Sequence, residues 1–274
     1  MPPTENGMDH PELKAPPAGS EQETKLPFEI VISTTHRSPS FLAQTLASLF
    51  MAGSASTRVE SVHLMVGSLE ERYLDTYAHH GALRAHLMGK AEWSRIKGHT
   101  VHRRASYNYA RCLALPVGAS RGLLVCEDDI VFQDGFFDAA LATIEELEEQ
   151  RGPAPFILAL YACYDLRNQP SPPGGERYAR YEAHAFYGTQ CVYFAAPLLP
   201  ELADLVMREG FEMGTEPYDM VLKRYCLGND LLFASRSSLV QHIGNTSTGL
   251  GNFHATPTFG CTPRAARTAA VPAT

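Results

Sequence analysis

Short apolar, β-branched runs alternate along this chain with stretches of helical spacing, and this alternation restricts the fold more than any other feature. Residues 28–34 open the series, with Phe28, Ile30, Val31 and Ile32 forming a run of the kind buried in parallel strands. The run stops at Thr35, His36 and Arg37. Ser38 suits an N-cap and Pro39 a first helical position. Phe41, Leu42, Thr45, Leu46, Leu49 and Phe50 then recur at helical spacing, and Gly53 ends the helix. Residues 62–66, 123–126, 156–161 and 191–195 predict further strands, with short ones at 231–234 and 238–240. Helices are expected over 107–115, from Asp134 and Gly135 onward, over 197–209 and over 217–227. The expected class is α/β, a Rossmann-like, mostly parallel sheet flanked by helices in a single domain.

Residues 1–26 hold five prolines and few large apolar groups, too little to offset the entropy of ordering, and read as a disordered tail. The folded domain is expected over 27–261, followed by a flexible Ala/Pro-rich tail over 262–274. The chain is 45% hydrophobic and 19% charged, a globular balance, and its formal net charge of −7 argues against a nucleic-acid partner. No apolar run approaches the roughly 18 residues of a membrane span. The first residues lack the basic and apolar regions of a secretory signal, so the expected location is cytoplasmic. The six cysteines (112, 126, 163, 191, 226 and 261) are scattered, form no CxxC pair and mostly sit in apolar runs, and they read as buried free thiols.

In parallel sheets, ligands bind beyond the carboxyl ends of the strands. Two groups stand there: residues 34–37, and Glu127-Asp128-Asp129 directly after the third apolar run. Three consecutive carboxylates repel one another unless a cation offsets them, and hard oxygen ligands suit Mg²⁺ or Mn²⁺. The same triplet is also compatible with a solvated acidic turn capping the next helix. His242 reads either as a structural histidine or as a late metal ligand. The small-residue loop after it, with Ser247, suits either a phosphate cradle or a plain turn. Asp219 falls in the first turn of a helix, where it is either a capping acid or an ionised base for a hydroxyl nucleophile. Arg104, Arg111, His36 and Arg37 are candidate phosphate contacts. The polar excursion over 165–183, with Arg177, Tyr178, Arg180 and Tyr181, is a candidate acceptor-binding loop.

Taken together these residues resemble a glycosyltransferase of the GT-A fold, with an acidic DxD-type metal motif. More narrowly the chain resembles the N-acetylglucosaminyltransferase IV family, which adds branching GlcNAc by an inverting mechanism. Three stretches carry the resemblance: residues 104–112 leading to 123–131 and Gly135-Phe136-Phe137; residues 216–222; and residues 238–244 with Ser247. The resemblance implies that Asp129 and His242 bind the metal, that Glu127 and Asp128 contact the nucleotide, and that Asp219 deprotonates the acceptor. It also implies that Thr34, Thr35, His36 and Arg37 meet the uracil and ribose. The expected partners are a UDP-sugar, with UDP-GlcNAc the first candidate, and a glycan or other hydroxyl acceptor, with Mn²⁺ or Mg²⁺ as cofactor. Two other readings remain open: a non-catalytic nucleotide-sugar or glycan-binding domain, and a nucleotidyltransferase. The latter normally carries a Gly-rich basic loop after the first strand, where this chain has Thr34-Thr35-His36-Arg37.

Overall fold

The computed structural model describes residues 24–260 apart from 38–39, 54–56, 60, 70–81, 168, 170–174, 187 and 245–253. The tail over 262–274, Ser38, Pro39, Ser247 and Cys261 therefore lie outside the described residues, as do residues 1–23. At the other end of the expected N-terminal tail, β1 (Thr24–Lys25) pairs in parallel with β3 (Thr57–Arg58), and Leu26 is buried.

The central sheet has eight strands. Its first half is β5 (Leu83–His86), β4 (Val62–Val66), β2 (Phe28–Thr34) and β6 (Gly122–Glu127), in that spatial order and all parallel. Its second half runs β10 (Cys191–Ala195), β8 (Ile157–Ala159), β11 (Leu232–Ser235) and β9 (Tyr178–Arg180). β10 is antiparallel to both β6 and β8, and β9 is antiparallel to β11, so six of the eight strands point one way. A parallel return needs a long crossover, usually helical. Among the described residues no α-helix lies between β8 and β10, and β10 enters the sheet reversed.

The alternation of side chains along each strand divides the core into two. Phe28, Ile30, Ile32, Leu64, Leu124 and Cys126 pack on α1 (Leu42–Met51) and on the helix Phe136–Arg151. Val31, Met65, Leu123 and Val125 pack on the opposite layer, with Tyr109, Cys112, Leu202 and Leu222. The helices on both faces bury a strand such as β6 from two sides, which is why Leu123 to Cys126 is unbroken apolar sequence.

The helices in chain order are α1, α2 (Lys90–Ile96), α3 (Val101–Leu113), α4 (Phe136–Arg151), α5 (Leu199–Leu205) and α6 (Tyr218–Gly228). α3 starts six residues earlier than the spacing predicts, because Thr100 caps it by accepting from the Arg103 backbone N–H. The helix expected over 197–209 is a short 3₁₀ turn, α5 and a wide π turn over Val206–Met213, stopped by Gly214 at φ 64°. Gly210 explains the fit of this turn on α3: a Cβ there would lie 2.8 Å from Ser106 Oγ. Arg103 donates to the Phe211 and Glu212 carbonyls and satisfies acceptors at the end of that turn.

The described residues at the end of the excursion over 165–183 are built into the fold. Its residues 178–180 form β9, Tyr178 and Tyr181 are buried, Arg177 pairs with Glu146 at 2.8 Å, and Arg180 pairs with Asp230 at 2.9 Å. The two tyrosines thus serve the core rather than an open acceptor surface. The described cysteines are all free, and Cys112, Cys126, Cys191 and Cys226 are buried. No described helix is long and apolar enough to cross a membrane.

Candidate functional site

The site forms where β2 and β6 end. Their parallel register sets Ser33 opposite Glu127, so the residues that follow each strand emerge side by side at one sheet edge. Thr34 Oγ1 donates to Asp128 Oδ2 at 2.6 Å. The Thr35 backbone N–H also serves Asp128. The Arg37 guanidinium bridges both aspartates, one Nη on Asp128 Oδ1 and the other 3.0 Å from Asp129 Oδ2. His36 is exposed, with its backbone N–H on Ser68 Oγ at 3.2 Å.

A second, smaller ladder completes the site. β7 (Ile130–Phe132) pairs with β12 (Val240–His242), and its register sets His242 opposite Ile130. The Ile243 N–H then donates to the Asp129 carbonyl at 2.8 Å. His242 Nε2 stands 3.2 Å from Asp129 Oδ2, and Nδ1 stands 3.2 Å from the His254 carbonyl, so the ring is held at both nitrogens. Thr45 on α1 secures the turn from beneath: its buried hydroxyl lies within 2.9 Å of the Asp128 and Ile130 carbonyls and accepts from the Ile130 N–H.

Glu127 faces the other layer. Thr189 Oγ1 donates to its Oε1 at 2.8 Å, and the Tyr218 hydroxyl does so at 3.1 Å. The Tyr218 ring stacks on Tyr109 at 4.3 Å, which ties the first turn of α6 to the acid triplet. Asp219 is the next residue. It is partly buried in the first turn of α6, where the neighbouring backbone N–H groups favour its ionised form.

Burial dominates the electrostatics. It pushes Asp128 up to about 6 despite Arg37, and pushes Glu127 up, helped by the Asp129 charge. Burial opposes ionisation of Asp129 as well, but the His242 hydrogen bond and the Arg37 charge outweigh it and hold this carboxyl below its usual range. Burial opposes charge on His242 too, and the Asp129 contact outweighs it, so His242 titrates above an ordinary histidine. Asp219 is raised by burial, with its backbone hydrogen bonds acting the other way.

Among the described residues no three His, Cys, Asp or Glu side chains converge as a complete metal cage. Asp129 and His242 nevertheless fit a cation that takes its remaining ligands from substrate oxygens and water. Asp129 Oδ1 is buried and has no hydrogen-bond partner among the described residues. Gly244 leaves the approach clear, since a Cβ there would lie 2.0 Å from Asp129 Oδ2 and 2.9 Å from His242 Nε2. The carboxylate suits Mn²⁺ or Mg²⁺, and the imidazole favours a transition-metal ion such as Mn²⁺ over Mg²⁺.

Two expected phosphate ligands engage protein groups in this structure. Arg104 donates to the His99 carbonyl at 2.8 Å and the Lys97 carbonyl at 3.4 Å. Arg111 holds the Val66 carbonyl and the Asn108 side chain and pairs with Glu92 at 3.3 Å. Both guanidiniums satisfy carbonyls at the ends of neighbouring elements, a demand invisible in residue spacing. The residues that sequence reasoning missed are Thr45, Thr189, Tyr218 and Gly244. Tyr218 and Gly244 lie inside the stretches that carried the resemblance; Thr45 and Thr189 have no local signal.

No protein-family model matches the chain, and no curated protein matches its sequence. Several solved structures are similar to it at low identity. They include the galactosyltransferase LgtC in complex with donor and acceptor sugar analogues, at TM-score 0.40 and 9% identity, covering 71% of this chain and 69% of that one. The apo-form glycosyltransferase GlyE of Streptococcus pneumoniae TIGR4 matches at TM-score 0.41 and 8% identity, over 75% of this chain and 44% of that one. TarS of S. aureus matches at TM-score 0.46 and 12% identity, over 76% of this chain and 34% of that one. The chain therefore spans less than half the length of the last two.

Proposed function

We propose that this protein is a metal-dependent, inverting glycosyltransferase of the GT-A fold that moves a sugar from a UDP-sugar, UDP-GlcNAc being the first candidate, to a hydroxyl acceptor such as a glycan. One observation carries the reading: Asp129 and His242, 113 positions apart, meet at 3.2 Å at the carboxyl edge of the sheet, with Asp129 Oδ1 buried and unpartnered among the described residues and Gly244 leaving room beside it. The resemblance of the three sequence stretches to the N-acetylglucosaminyltransferase IV family supports the choice of donor.

In this reading Asp129 and His242 hold Mn²⁺ or Mg²⁺, and residues 34–37 together with Glu127 and Asp128 receive the nucleotide. The bound cation supplies positive charge to the diphosphate as it departs. Asp219 accepts the acceptor's hydroxyl proton, and burial makes it a stronger base than an exposed aspartate. The acceptor oxygen forms a bond to the anomeric carbon while the bond to the diphosphate oxygen breaks, and UDP leaves with that electron pair. In-line attack inverts the anomeric centre.

A second reading is nucleotide-sugar or glycan binding without turnover, in which Asp219 serves only the start of α6. Calorimetric titration with UDP, GDP and CMP, each with and without Mn²⁺, followed by a donor-hydrolysis assay, separates the two. Mn²⁺-dependent UDP binding with sugar release supports the transferase. Binding with no release across a broad acceptor panel supports the second reading, and no preference for UDP removes the proposed donor class.

A further inference from the structure

The Asp128–Asp129 pair already holds a cation of its own. The Arg37 guanidinium spans both carboxylates, and its side chain is only 12% exposed. The Phe41 ring lies 5.0 Å from the guanidinium carbon, and Nε is buried with no hydrogen-bond partner among the described residues. Arg37 thus commits its two Nη groups to the aspartates. Asp129 Oδ2 is the critical atom, because Arg37 Nη1 at 3.0 Å and His242 Nε2 at 3.2 Å share it. A divalent cation held between Asp129 and His242 would stand beside that guanidinium. Like charges at such range in a buried site repel strongly, so the two cations exclude each other.

We propose that Arg37 is an internal counter-cation, that a divalent cation must displace it from Asp129, and that the displaced guanidinium pairs with the diphosphate of the nucleotide. This rests on the transferase reading above and adds, to Arg37 as a candidate phosphate contact, the role of a competitor for the cation site. A guanidinium pushed off two carboxylates must find another anion or remain desolvated without a partner, and its planar fork matches phosphate oxygens. Cation and nucleotide then bind cooperatively, each supplying what the other's arrival disturbs, and the coupling is reciprocal.

Removal of Arg37 separates this role from a merely structural one, because structural damage lowers ligand affinity whereas loss of a competitor raises it. The measurement is Mn²⁺ affinity by electron paramagnetic resonance on the full chain, with and without UDP, for wild type, Arg37→Met, Arg37→Lys and Asp129→Ala. Arg37→Met is expected to bind Mn²⁺ alone about tenfold or more tightly than wild type, and UDP should then improve that affinity by a smaller factor than it does in wild type. Arg37→Lys, a point charge without the fork, should fall between them. If Arg37→Met does not fold, as circular dichroism reports, the Lys variant carries the test, and its Mn²⁺ affinity without UDP must exceed that of wild type. Mn²⁺ binding in the variants that is equal to or weaker than in a Mn²⁺-binding wild type overturns the counter-cation role and leaves the transferase reading intact. Absence of Mn²⁺ binding in wild type and in both Arg37 variants, with or without UDP, overturns the cation site and this inference with it.

Discussion

The Asp129 carboxylate and the His242 imidazole meet at 3.2 Å across 113 residues of chain. The contact is made by backbone before side chains: the β7–β12 ladder sets His242 opposite Ile130, and the Ile243 N–H binds the Asp129 carbonyl. Regular pairing thus delivers the imidazole to the acid, and Gly244 keeps the space between them clear.

Replacement of Asp129 by alanine removes one of the two proposed protein ligands. Transfer should fall by about 10³-fold or more, the equivalent of several kcal/mol of lost charge stabilisation. Mn²⁺-dependent UDP binding should vanish in the same variant. Calorimetry and a donor-turnover assay check both, and unchanged turnover removes the acid triplet from the mechanism.

Asp219→Asn separates chemistry from binding. UDP affinity should persist while kcat drops by about 10²- to 10⁴-fold, the usual contribution of a general base. Burial raises the folded pKa of Asp219 above 3.8, and the ionised form is the base. Activity in the wild type is therefore lost as pH falls through this raised value and retained above it. A kcat against pH profile with no acid limb above that of an ordinary aspartate, or a fully active Asn variant, rejects the assignment.

Gly244→Ala tests the close approach. Its added Cβ would stand 2.0 Å from Asp129 Oδ2, a separation no real contact tolerates, so the loop or the carboxylate must move. Cation binding at the Asp129–His242 pair should weaken by about tenfold or more, a loss of the size seen when ligand orientation is disturbed. The central sheet lies away from the substitution, and circular dichroism should match that of wild type. Mn²⁺ affinity equal to that of wild type counts against the site.

Thr45→Val tests the support under the acid turn. The swap keeps the shape but strips a buried hydroxyl from two carbonyls and the Ile130 N–H. Leaving these groups unpaired should cost about 1–3 kcal/mol of stability. Urea unfolding measures it, and a midpoint within error of wild type would show that the turn is held by other contacts.

The sheet edge makes a separate prediction about acid stability. His63 Nδ1 and His86 Nε2 lie 2.7 Å apart on β4 and β5, where one ring must donate and the other accept. Burial holds both below 6.5, aided for His63 by the His86 charge and for His86 by Arg111 and Arg84. The unfolded chain therefore binds these protons more tightly than the folded one. Their contribution is complete above pH 6.5 and lost as pH falls through the lower folded values. His63→Gln should lose less stability than wild type between pH 7.5 and about 5 in urea titrations, and parallel losses contradict the coupling.

Several elements are legible in residue order. Phe28–Thr34, Val62–Val66 and Cys191–Ala195 are strands with the bounds that their apolar runs predict, and the acid triplet starts at the last residue of β6. These features are local, because burial on two faces demands unbroken apolar residues and the end of a strand is where polar residues resume. Arg104 and Arg111 read as ligand contacts by residue type, and the carbonyls they hold in the fold were not legible, since an arginine's protein partners depend on which carbonyls the fold leaves unsatisfied.

The amino-acid order alone determined the alternating α/β class, the two-sided burial of the central strands and the place of the carboxylates at the carboxyl edge of the sheet. Tertiary structure alone decided that β10 runs backwards, that Arg37 clasps Asp128 and Asp129, and that the β7–β12 register sets His242 Nε2 3.2 Å from Asp129 Oδ2. Hydrophobic periodicity is a short-range property of neighbouring residues. Register between distant strands is set by which ladder satisfies the most backbone groups at once, and that competition exists only when the whole chain is folded.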